Sequence, residues 1–148
     1  MATVTFQATS KLLEGVQVEN TVRQFTLRID EPKNLGGTDT GMNPVEAMLA
    51  ALGSCLTIVA AAFAESEGID LQEFWVEVEG DLDPSGFVKG APGVRMGFNQ
   101  VRFTPHIKTS SPKEDVDRFM AFIKSRCPVS DNIMNATEIV AMPPVIAS

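Results

Sequence analysis

Residues 43–65, NPVEAMLAALGSCLTIVAAAFAE, decide the fold of this chain. Asn43 followed by Pro44 is a helix start, with asparagine as N-cap and proline at the first helical position. Glu46 falls in the first turn, where the helix dipole favours a carboxylate. No charge interrupts Ala47–Ala64, and a glycine stop predicts the helix end near Glu67–Gly68. Such a run approaches the roughly 18–20 residues that cross a bilayer. Its alanines contribute little insertion energy, however, and Gly53, Ser54, Cys55 and Thr57 interrupt its centre. Small residues let a helix pack against protein on every side, so a buried core helix is expected.

Upstream, apolar residues alternate: Val4 and Phe6, then Val16 and Val18, then Phe25, Leu27 and Ile29. Period two predicts three strands, with a turn at Glu14–Gly15 between the first two. DEPKNLGGTDTGMNP (30–44) reads as a loop leading into the helix. Downstream, Phe74, Val76 and Val78 mark a fourth strand, and Val101, Phe103 and Ile107 a fifth. DPSGFVKGAPGVRMGF (83–98) between them is rich in Gly and Pro and predicts a long loop or flap. Ser111-Pro112-Lys113-Glu114 has capping-box spacing and opens a helix to about Arg126. A short helix from Pro128 to about Asn135 follows, and TEIVAMPPVIAS supplies a last edge strand. The order βββ-α-ββ-αα-β predicts an α+β fold, and 148 residues suit a single domain over 1–148.

A net charge of −7 without a basic cluster sets nucleic acid aside. MATVTFQATS has neither the basic nor the apolar region of a secretory leader. With two cysteines, this points to a reducing, cytoplasmic setting in which a disulfide is transient.

The cysteines are the candidate chemistry. Around Cys55, helix positions three, four and seven away are Ala51, Leu52, Ile58, Val59, Met48 and Ala62. On that apolar face a cysteine can serve as a small hydrophobe, and desolvation would raise its pKa. Cys127 precedes Pro128 and is expected at a helix N-terminus, where a thiol pKa can fall from about 8.5 to about 6. By local physics Cys127 is therefore the better thiolate. Metal binding is not expected, since His106 lies on the polar parity of its strand and only two cysteines could join it.

DEPKNLGG, then NPVEAMLAALGSC, then SRCPVSDNI together resemble the OsmC/Ohr family (osmotically inducible protein C and organic hydroperoxide resistance protein). The match covers essentially the whole chain. It implies an intertwined homodimer with long central helices and sites at the subunit interface. It implies thiol-dependent reduction of organic hydroperoxides, with Cys55 attacking the peroxide and Cys127 closing a disulfide. A dithiol such as a lipoyl group would be the reductant, and no flavin, haem or metal would be needed.

Two positions depart from the peroxidase branches of the family. They place glutamate directly after the helix-start proline, whereas here Val45 stands there and Glu46 follows. Nine residues separate Glu46 from Cys55, which puts them on opposite helix faces. Glu46 is thus expected to serve the second subunit's site or to cap its helix. The branches also hold an arginine near the thiol; Arg23, sharing parity with Phe25, Leu27 and Ile29, is the best substitute. The alternative function is a non-catalytic dimer that binds a small apolar ligand between subunits.

Overall fold

The computed structural model describes residues 2–148. The chain forms two compact units, one up to Ala50 and one from Ala51 onward.

The first unit is an antiparallel sheet of β1 (Thr9–Leu12), β2 (Val18–Val22) and β3 (Phe25–Ile29), in that order. Gly15, at φ +59°, makes the first turn. Val22 pairs with Phe25, so Arg23 and Gln24 form a two-residue turn, with Arg23 at φ 55°. That turn corrects the expected first strand. β1 pairs from Leu12↔Val18 to Thr9↔Thr21, and β2 turns away soon after. Val4 and Phe6 therefore lie beyond the partner strand's end and form no strand; Phe6 is 90% exposed.

The loop after β3 is built around Asp30, which is fully buried. Its Oδ1 accepts from the Glu31 amide at 2.8 Å. Its Oδ2 accepts from the amides of Thr38 and Thr40, both at 3.1 Å, and from their hydroxyls at 2.6 and 2.9 Å. These bonds hold the Asp30 carboxyl well below the ordinary range, led by the Thr38 hydroxyl. Gly37 is obligatory in this coil, because a Cβ there would lie 1.8 Å from the Glu31 carbonyl oxygen.

α1 (Pro44–Phe63) begins in the first unit and ends in the second. Its start is a reciprocal cap: Asn43 Oδ1 accepts from the Glu46 amide at 2.9 Å, and Glu46 Oε2 accepts from the Asn43 amide at 2.8 Å. The helix stops four residues before the expected end. Turns carry the chain on to Gly68 at φ +71°, and the Ile69 amide closes on the Ala64 carbonyl at 2.8 Å.

In the second unit, β4 (Glu73–Asp81) and β5 (Gln100–Lys108) pair antiparallel in the register Phe74↔Ile107, Val76↔Pro105, Val78↔Phe103. This face packs against a core of Leu52, Leu56, Val59 and Ala60 from α1. Gly53 sets the approach: a Cβ there would stand 3.2 Å from the Val78 side chain. On the other face Glu79 bridges to Arg102 at 2.8 Å and Glu73 to Lys108 at 3.0 Å. His106 stacks on Trp75 with ring centroids 4.7 Å apart and meets Glu77 at 2.7 Å, a strand-surface role.

The expected flap contains a helix, α2 (Pro84–Lys89). Asp83 caps it by accepting from the Ser85 amide at 2.9 Å, and Gly90 ends it at φ +60°. α3 (Lys113–Arg126) adds Phe119 and Ile123 to the core. Ser111 is not its cap: Pro112 holds that position, and the Ser111 hydroxyl accepts instead from the Asp70 amide at 3.0 Å. α4 (Pro128–Met134) follows.

Residues 137–148 form no strand, which corrects the expected last element. Pro143 and Pro144 carry no amide hydrogen for a ladder, and no strand among the described residues pairs with the segment. The order β1-β2-β3-α1-β4-α2-β5-α3-α4 is α+β.

Candidate functional site

The two cysteines lie in the second unit and pack into one core. Gly53 lets α1 settle onto β4, and Cys55, two residues on, packs half-buried against the core that includes Leu52, Leu56, Phe119 and Ile123. Cys127 belongs to that core and is 2% exposed. It ends α3 and caps α4, with Pro128 at the first helical position. Its sulfur accepts a hydrogen bond from the Ser130 amide at 3.3 Å.

The electrostatics correct the local expectation for Cys127. Burial pushes its thiol above the ordinary value of 9.0, and the neighbouring Cys55 thiol adds to the rise. The amides of Ser130 and Val129 act in the opposite direction and are outweighed. A helix start supplies amides but cannot offset desolvation when the sulfur lies inside the core.

Two other candidates take different places. Glu46 closes the cap of α1 with Asn43. Arg23 lies in the β2–β3 turn rather than in a strand, so period-two parity does not extend to it. Its guanidinium sits 5.1 Å from the centroid of the Phe25 ring. Phe25 and Leu27 are exposed in this chain, and only Ile29 of that trio is buried.

Ser130 was not among the sequence candidates. It is buried, gives its amide to Cys127, and its hydroxyl lies 3.7 Å from the Met134 sulfur. The signal was present: in Cys-Pro-Val-Ser the fourth residue is the one whose amide an N-cap side chain reaches.

Comparison with known proteins places this geometry. The family model described as OsmC-like protein matches residues 37–141, more than two thirds of the chain. The chain belongs to the OsmC-like family. It is 24% identical over 132 residues to a hydroperoxide reductase of Mycoplasma genitalium, covering 86% of each chain. Among solved structures, this OsmC-like chain is similar to an OsmC-like protein from Mycoplasma pneumoniae. Their TM-score is 0.78 at 20% identity, covering 88% of each chain. It is also similar to an organic hydroperoxide resistance protein, OsmC, from Legionella pneumophila. There the TM-score is 0.67 at 23% identity, covering 90% of this chain and 91% of the other.

Proposed function

We propose that this protein is a thiol-dependent peroxidase for organic hydroperoxides, with residues 1–148 as one OsmC-like domain working as a homodimer. The observation that carries the reading is the Cys55 thiol beside the core-buried Cys127. The relative named hydroperoxide reductase supports it. The Cys55 thiolate attacks the terminal peroxide oxygen; the O–O bond breaks and the alkoxide leaves as the alcohol after protonation. Cys55 is then a sulfenic acid. The Cys127 sulfur attacks it, the S–O bond breaks, water departs and a disulfide closes. A lipoyl-type dithiol returns both thiols. Such cycling requires a reducing supply, so we place the protein in the cytoplasm.

Exposed apolar surface supports the homodimer. Phe6, Phe25 and Leu27 in the first unit, and Ile58 (66% exposed) on α1, await cover that a second copy would give. α1 is long and apolar enough to cross a membrane by length and composition; in this reading it is a soluble fold's central helix. Glu46 would serve the second copy's site, and Arg23 would supply the cation for a thiol.

A second reading rests on a specific observation: Arg23, the arginine candidate, lies in the β2–β3 turn with its guanidinium over the Phe25 ring. Here the dimer binds an apolar ligand and its cysteines are structural. Steady-state turnover separates the two. Consumption of cumene hydroperoxide with dihydrolipoamide, lost in Cys55→Ser, is the expected result. No consumption with any dithiol gives the place to the ligand-binding reading.

A further inference from the structure

Cys127 has a side of its own. A groove of about 310 Å3 runs between α3 and α4, and Cys127 lines it while Cys55 does not. Lys124, Ser125, Asp131 and Met134 on its rim are exposed; Cys127 and Ser130 are its buried lining. Lys124 makes no ion pair among the described residues. The Asp131 carboxylate on the same rim already accepts from Asn135 Nδ2 at 2.8 Å.

We propose that this groove receives the reductant, a lipoyl-type dithiol, and that Cys127 is the sulfur it attacks. The inference rests on the two-cysteine peroxidase reading and adds the entrance and the direction of reduction. A thiolate is the attacking species, and the Lys124 ammonium gives it a complementary charge on the way in. The choice of target rests on access: Cys127 lines the groove and Cys55 does not, so a thiolate entering there meets Cys127 first and Cys55 becomes the departing sulfur.

The electrons balance as follows. The first reductant sulfur bonds to Cys127, the Cys55–Cys127 bond breaks, and Cys55 departs as thiolate, ready for peroxide. The second reductant thiol then attacks the first reductant sulfur, closing a cyclic disulfide. Cys127 leaves with the electron pair and takes up a proton. Closing a small ring supplies the high effective concentration that a buried leaving group needs. A monothiol lacks that step and stalls as an adduct on Cys127.

The test uses the wild-type protein with its disulfide closed in two ways, by cumene hydroperoxide and by diamide. The monothiol 2-mercaptoethanol is added, free thiols are alkylated, and peptides are mapped by mass spectrometry. The expected adduct is on Cys127, with Cys55 alkylated. An adduct chiefly on Cys55 overturns the proposal. If diamide closes the disulfide and the hydroperoxide does not, the peroxidase reading fails while the mapping still decides the groove. Ser125→Trp, at an exposed rim position, should slow adduct formation on the order of tenfold or more. An unchanged rate in a folded variant contradicts the groove as the entrance.

Discussion

At the residue scale, the pH behaviour of Cys127 is the sharpest expectation. Its raised thiol stays protonated through neutral pH and ionises above the ordinary value of 9.0. The step in which it attacks the oxidised Cys55 should therefore accelerate as pH rises through 9, without levelling near neutrality. Stopped-flow detection of disulfide closure after one equivalent of peroxide would show this; a plateau at pH 7 would refute the burial account. Cys127→Ser should permit one oxidation of Cys55 and then over-oxidation to sulfinic acid, since no partner traps the sulfenic acid. What the sequence could not convey was burial. Cys-Pro announces a helix start, but the core that buries the sulfur is completed by α1, far back in the chain. Arg23 failed as a strand residue for a similar reason: alternation continues on paper through a turn that a left-handed backbone imposes. Asp30 offers a second titration. Its carboxyl is depressed in the folded state, so the stability it contributes is present above the ordinary 3.8 and lost as pH falls further. Urea midpoints measured from pH 6 downward should fall more steeply for the native chain than for Asp30→Asn.

At the element scale, helix starts carried the clearest signals. Asn43-Pro44-Val45-Glu46 forms the reciprocal cap its spacing suggests, and Asn43→Ala should cost about 1 kcal/mol in chemical denaturation. Glu46→Gln retains an acceptor and should cost less. α2 was not read, because the density of Gly and Pro around it spoke for a loop, although Asp83-Pro84 is a cap and first-turn pair with Gly90 as the stop. Strand ends were not legible, because pairing decides them. Val4 and Phe6 have the right alternation and no partner strand left to pair with, and the tail from Thr137 has none at all.

At the scale of the whole molecule, the α+β order was readable from alternation and helix punctuation, while the packing depends on close approaches that single residues permit. Gly53→Val should push α1 off β4, through Val78, and disturb the Cys55 thiol two residues away. Phe119, 1% exposed, anchors α3 to the same core, and Phe119→Ala should lower stability by about 3–5 kcal/mol. Light scattering should report twice the 16.0 kDa of one chain; a stable monomer would leave the exposed apolar residues of the first unit without the cover proposed for them.

The central claim is that Cys55 and Cys127 form one redox pair, and a single peptide map tests it most directly. After one equivalent of cumene hydroperoxide under exclusion of reductant, the account predicts a peptide cross-linked through Cys55 and Cys127 and no free thiol. Two unmodified thiols, or a sulfinic acid on either cysteine with the other still reduced, would contradict it.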